Sequence, residues 1–251
     1  MPADTWDPRQ YERFRAEREQ PFLDLLDLVR PDPGMRVVDL GCGTGELTRA
    51  MHRRLGARET LGVDSSGAML ERSAAHAGDG LRFETGDIAD FAQHDAFDLV
   101  FSNAALHWVP GHDALLARLT RALRRHGQLA VQVPANFDHP AHVTAAEVGA
   151  ELGVTPHAVN VLVPERYAAV LHRLGYADQH VRVQVYAHRL PSREDVVEWV
   201  KGSLLTDYER RLPPGTFEEF LRRYRERLIA RLQDERPFLF TFKRILFWAR
   251  R

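Results

Sequence analysis

Gly41, Gly43 and Gly45 place three glycines within five residues, in the run Val38-Asp-Leu-Gly-Cys-Gly-Thr-Gly45. Without a Cβ, glycine lets the backbone turn tightly and brings main-chain atoms within reach of a bound group. Asp64 follows nineteen residues after Gly45. A carboxylate at that distance from a glycine loop is suited to accept hydrogen bonds from the ribose hydroxyls of a nucleoside. Asp39, two residues before the first glycine, narrows the choice of nucleoside. Its charge repels a pyrophosphate and attracts an ammonium, and the glycines depart from the G-x-G-x-x-G spacing of a dinucleotide loop. A zwitterionic amino-acid tail suits this loop better.

Other residue types that do chemistry are sparse. His107 and Trp108 follow a strand end, where active-site groups gather in a parallel sheet, so they are candidate walls of a site; Trp108 as core filler is the competing reading. His107 has no Cys or Asp at ligand spacing. His139 and His142 sit three apart in a Pro-containing stretch, as substrate contacts or as surface, and no metal site is expected. Cys42, the single cysteine, has no adjacent base to make it a nucleophile. Trp6 and Tyr11 belong to an N-terminal arm that either packs on the body or flaps over the ligand.

These residues need elements to hold them. The glycine loop ends a β-rich run, Arg36–Leu40, and a helical pattern covers Glu46–Leu55. Glu59–Val63, Leu81–Glu84, Phe97–Phe101 and Leu129–Val133 read as further strands, with helices over Ser66–Ala75 and His112–Leu123 between them. Ser65 or Ser66 caps the first of these helices. Short apolar strands alternating with helices predict a parallel sheet wound by crossover helices. Beyond Pro134 the rhythm changes. Residues 135–163 show no clear period, Glu165–Leu174 is helical, Val181–His188 is strand-like, and 192–233 is helical with a break at Pro213–Gly215. Phe238–Phe242 and Ile245–Trp248 close the chain as a strand.

Composition bounds the rest. With 251 residues, 44% hydrophobic and 27% charged, the chain is long enough for one large α/β domain carrying an insertion. No apolar run reaches the ~18 residues of a membrane span, and Met1–Asp7 lacks a signal pattern, so a cytoplasmic protein is expected. One cysteine excludes a disulfide framework. A net charge of −1 gives no global pull toward nucleic acid. Only Lys201 and Lys243 among the 34 basic residues are lysines; such an arginine excess matters for function only where guanidinium groups converge on an anion. The Arg222–Arg227 run reads as a solvated helix face.

The Asp39–Gly45 loop resembles the D-L-G-C-G-x-G motif of class I S-adenosylmethionine-dependent methyltransferases. Gly62-Val-Asp-Ser65, Gly86-Asp-Ile88 and Phe97-Asp-Leu-Val-Phe-Ser-Asn103 follow in that family's order. The resemblance implies an α/β, Rossmann-like fold with a mostly parallel seven-stranded sheet and a helical insertion or cap. It implies S-adenosyl-L-methionine as cofactor, with Asp64 on the ribose diol, Asp87 and Ile88 at the adenine, and Gly41 and Gly43 near the methionine portion. Asp39, Cys42, Ser65, Met69, Ser102 and Asn103 complete the expected cofactor set.

A narrower likeness runs through Trp6-Asp-Pro, Met69-Leu70, Ser102-Asn-Ala-Ala-Leu-His-Trp108, Val131-Gln-Val-Pro134 and Val197-Glu-Trp-Val200. These segments resemble the trans-aconitate 2-methyltransferase family, whose members esterify one carboxylate of a small tricarboxylic acid. The likeness implies substrate contacts from Tyr11, Asn136, His142, Trp199 and Lys201. Two departures stand out: His107 replaces the family's usual Gln, and the Lys201–Tyr208 tract is altered. The expected organisation is an N-terminal helical arm (1–30), a cofactor-binding core (31–135), helical substrate-cap segments (136–163 and 192–235), and remaining core elements (164–191 and 236–251). The protein is expected as a monomer or homodimer acting on a small anionic acid, with no nucleic acid or membrane partner. A natural-product O- or N-methyltransferase using His107 as base, and a catalytically silent binding subunit, are the alternatives.

Overall fold

The computed structural model describes residues 15–155 and 159–251. Trp6, Tyr11 and Phe14, and with them the expected flap and the Tyr11 substrate contact, lie outside the described residues. The chain forms α1 (Arg15–Leu26), β1 (Arg36–Leu40), α2 (Glu46–Leu55), β2 (Glu59–Asp64), α3 (Gly67–Ser73), β3 (Leu81–Thr85), β4 (Phe97–Asn103), α4 (His112–Ala122) and β5 (Leu123–Pro134). It continues through α5 (Pro140–Glu151), α6 (Pro164–Arg173), β6 (Asp178–Leu190), α7 (Asp195–Val200), α8 (Thr206–Arg211), α9 (Phe217–Arg231) and β7 (Phe238–Arg250).

The strands form one seven-stranded sheet in the order β3-β2-β1-β4-β5-β7-β6. β1 runs parallel to β2 and β4, and β5 parallel to β4, while β7 returns antiparallel against β5. β1 and β4 are buried at nearly every position because helices cover both faces. On one face Phe22 and Leu25 of α1 and Met51 of α2 pack against Val37, Phe101, Ala130 and Trp248. On the other, Tyr167 of α6 stacks on Phe247 with ring centroids 4.6 Å apart, and His112 Nδ1 lies 2.6 Å from the Tyr167 hydroxyl.

The chain divides into two compact units. The sheet unit holds residues 18–134, 160–184 and 244–251. The described part of the other unit is mainly residues 135–155 and 185–243, with α5 and α7–α9 around Trp199, Tyr208, Phe220, Tyr224 and Phe240.

Two local outcomes differ from the sequence pattern. Residues 140–151, without clear period, form α5. Pro140 occupies its first turn, and His139 Nδ1 accepts from the Ala141 N–H at 3.1 Å, so His139 is an N-cap. The buried stripe of α5 is Ala141, Thr144, Ala145, Val148 and Gly149, side chains too small to leave a strong apolar signal. In the second case β5 begins at Leu123, directly after α4, six residues before the predicted start. Arg222 and Arg227 do lie on the outer face of α9, pairing with Glu219 and Glu151, while Tyr224 between them is buried.

Candidate active site

β1 lies where the strand order reverses, with β2 on one side and β4 on the other, and ligands of such sheets bind beyond the carboxyl ends there. The glycine loop occupies this position. The Gly41 and Cys42 N–H groups both donate to the Val63 carbonyl, at 2.8 and 3.1 Å, which folds the loop over the end of β2. Asp64 is held from two sides: Gly43 N–H donates to Oδ2 at 2.8 Å and Ser66 N–H to Oδ1 at 2.9 Å. Each oxygen keeps a second lone pair, the number a vicinal diol needs.

The glycines differ in what they provide. A Cβ on Gly41 (φ 82°) would meet the Ala105 Cβ at 2.2 Å, so this position is closed by packing. Gly43 (φ 56°) has nothing within 4 Å of a Cβ, so its side of the loop is open. Asp39 is buried, and Thr48 Oγ1 of α2 donates to its Oδ2 at 2.6 Å. Burial raises its pKa to about 7; the Thr48 hydrogen bond works against this, and the charge of Asp64 adds to it. Burial, then Asp39 and Asp64, push the Cys42 thiol up, which keeps it protonated and unreactive.

Ser66, not Ser65, caps α3: its Oγ accepts from the Met69 N–H at 3.3 Å, and Ser65 is exposed. Asp87 is exposed and accepts from the Ala89 N–H at 2.7 Å, and Ile88 is half-buried beside Gly41. Ser102 takes a supporting part instead of presenting its hydroxyl to a ligand. It is fully buried and donates to the Leu40 carbonyl at 2.7 Å, tying β4 to the strand that carries the loop. Asn103, the next residue, faces the other side of the sheet, and its buried Oδ1 has no hydrogen-bond partner among the described residues.

A short helical turn, Leu106–Trp108, follows β4. Trp108 is 48% exposed, which removes the core-filler reading. Its ring lies 4.6 Å from that of His107. His107 Nδ1 is buried without a partner among the described residues, and burial, followed by the charges of Arg244 and His112, pushes its pKa down to about 3. The imidazole is therefore neutral across the physiological range.

The sheet unit thus brings together the expected cofactor residues and the His107–Trp108 turn. The expected substrate residues Asn136, His142, Trp199 and Lys201 belong to the helical unit. Asn136 is buried and its Oδ1 accepts from the Lys243 N–H at 3.0 Å. His142 sits edge-on to Phe137 and Phe242. Trp199 is a core residue: it is 4% exposed and packs on His188 and Phe240, so its ring is committed to packing. Lys201 pairs with Glu198 at 2.6 Å. Gln132, a buried polar residue inside the apolar run Leu129–Val133, accepts at Oε1 from an Arg244 guanidinium nitrogen at 3.3 Å in the same sheet unit, a pairing that the sequence pattern does not announce.

A cationic amino-acid nucleoside fits this site: two carboxylates flank a loop whose Gly43 side is open, and a buried acceptor, Asn103 Oδ1, stands at the next strand end. A pyrophosphate does not fit beside Asp39 and Asp64. Comparison with known proteins agrees. A methyltransferase-domain family model matches residues 37–127. The chain is 44% identical over 257 residues to a trans-aconitate 2-methyltransferase of Deinococcus radiodurans, covering 98% of each chain. It is 36% identical to one of Mycobacterium tuberculosis, covering 97% of this chain and 96% of that protein. Among solved structures, the YcgJ protein from Bacillus subtilis superposes with a TM-score of 0.64 at 15% identity, over 93% of this chain and 98% of that one. An S-adenosylmethionine-dependent methyltransferase from Mesorhizobium loti gives 0.52 at 22% identity, over 92% and 97%.

Proposed function

Because the chain belongs to the trans-aconitate 2-methyltransferase family, we propose that it moves the methyl group of S-adenosylmethionine onto one carboxylate of trans-aconitate, giving a monomethyl ester. When bound, the cofactor supplies an electrophilic methyl on a sulfonium that leaves as a neutral thioether. Asp39 would face the ammonium of the cofactor's amino-acid tail, Asp64 its ribose diol, and Asp87 with Ile88 its adenine. A carboxylate acceptor would ask no residue of the chain to remove a proton. A carboxylate with a pKa near 4 is already ionised at neutral pH. The chain's work is then to desolvate that oxygen and align it behind the methyl group.

The observation that carries this reading is the state of His107. A histidine with its pKa near 3 is a poor base at pH 7, so an acceptor that has to be deprotonated by it, a phenol or an ammonium, is disfavoured. A neutral, weakly basic His107 suits an acceptor that arrives ionised. We place the enzyme in the cytoplasm with a small acid as its partner; among the described residues no helix is long and apolar enough to cross a membrane.

Incubation with methyl-labelled S-adenosylmethionine and a panel of polycarboxylic acids, phenols and amines tests the proposal. Label recovered in a base-labile ester of trans-aconitate is the expected result. Label found only in base-stable ethers or amines would overturn it.

A further inference from the structure

At the carboxyl edge of the sheet, register aligns a second set of polar residues beyond the glycine loop. Asp39 pairs with Phe101, Asn103 with Gln132, and Gln132 with Leu246, so Asp39, Asn103, Gln132 and Arg244 all project from one face. Gln132 is fully buried and Arg244 is 8% exposed. The two meet diagonally across the antiparallel pair, where an Arg244 guanidinium nitrogen (NH1) donates to Gln132 Oε1 at 3.3 Å.

That contact has a directional consequence. A guanidinium has donors only, so it selects the carbonyl end of the amide and turns the Gln132 NH2 away from itself. The Gln132 Nε2 so directed is buried and has no partner among the described residues. A buried amide left unmatched costs stability, and a protein retains such a group where a ligand completes it. The neighbouring His107 is held neutral, with the Arg244 charge contributing, so it adds no competing cation.

We infer that Gln132 and Arg244 form a carboxylate subsite for the acid, holding a carboxylate other than the one that is methylated. The inference rests on the carboxyl-methyltransferase reading and deepens it. The orphaned Gln132 N–H, on the far side of the amide from Arg244, and the guanidinium donors not used on Gln132 offer hydrogen bonds to a carboxylate lying across the pair, with positive charge close by to desolvate it. The same grip would blunt the nucleophilicity of an oxygen that has to attack. The subsite therefore suits a spectator carboxylate, whose fixation turns the reacting one toward the methyl group. It also accounts for a polycarboxylic acceptor, since a monocarboxylic acid would leave Gln132 Nε2 unmatched.

The test uses the full chain and compares kcat/KM for trans-aconitate with that for its singly amidated analogues. Wild type should prefer the triacid over the analogue lacking the gripped carboxylate by roughly 10–150-fold, the range for a charge-assisted hydrogen-bond pair. In Arg244→Gln and Gln132→Leu that preference should fall below about fivefold, through a raised KM for the acid, with S-adenosylmethionine affinity unchanged within about threefold. Arg244→Lys should restore part of the preference. A wild-type enzyme that methylates the acid, with variants that keep the full preference, would overturn the subsite alone. A wild-type enzyme that methylates no polycarboxylic acid would overturn the functional reading beneath it. If Arg244→Gln fails to bind the cofactor, the same ratio in Gln132→Leu decides.

Discussion

With Asp39 proposed to face the cofactor's ammonium, its raised pKa predicts that cofactor affinity depends on pH, with a sign set by its surroundings. Burial holds its carboxyl near pKa 7 in the ligand-free protein, so about half the molecules carry a proton there at pH 7. A cationic ammonium beside it requires the ionised form, so binding near neutrality expels a proton. One pH unit below that pKa, ionising the group costs about 1.4 kcal/mol, a factor of ten. S-adenosylmethionine should therefore bind roughly fivefold tighter at pH 7 than at pH 6, the ratio of the ionised fractions for a pKa of about 7. Above about pH 8 the cofactor's own α-amino group loses its charge, and affinity should fall again. Calorimetry in two buffers of different ionisation enthalpy should detect release of about half a proton at pH 7. Asp39→Asn removes the titration: its affinity should be flat from pH 6 to 7 and weaker by about 1.5–3 kcal/mol, the worth of a charge-assisted contact. A pH-independent wild-type affinity without proton release would refute this placement of the ammonium.

Three further outcomes follow from the same geometry. Asp64→Ala should weaken cofactor binding by about 1.5–3 kcal/mol in calorimetry; unchanged affinity in a folded variant would remove Asp64 from the site. Gly43→Val should abolish binding at a modest cost in stability, from its φ of 56° alone since its Cβ meets open space, whereas Gly41→Val adds overlap with Ala105 to the same strain and should lose folded protein; equal stability of the two in thermal melts would contradict the loop packing. With both substrates saturating, kcat should be nearly flat from pH 6 to 9, since His107 titrates near 3, and His107→Gln should keep most activity; a steep profile with a loss of about 10²–10⁴-fold in that variant would restore a histidine base.

Much of the architecture was legible in the chain because it depends on local chemistry. Glycines at φ 82°, 56° and 77°, a β-rich run before them and a helix after them define a loop whatever surrounds it. The spacing to Asp64 carries over to the fold because β2 must lie beside β1, and the Gly43 N–H to Asp64 contact is its direct result. Helix α5 was not legible: its buried face holds two alanines, a glycine, a threonine and a single valine, and only its packing makes it visible. Trp199, expected from sequence at the substrate, has its ring packed on His188 and Phe240, a placement that its sequence neighbourhood does not announce.

Charge state and convergence belonged to tertiary structure alone. Asp39 and His107 look like an ordinary carboxylate and an ordinary imidazole in sequence; burial, which depends on residues dozens of positions away, moves one up to about 7 and the other down to about 3. Gln132 and Arg244 stand 112 positions apart. Nothing local marks them as a pair, because the register of β7 against β5 is a property of the closed sheet. Local sequence determined which residues could bind a nucleoside, since backbone freedom and spacing act over a few residues. The folded sheet decided which of them carry charge and which distant partners meet, since desolvation and strand register exist only once the chain has closed.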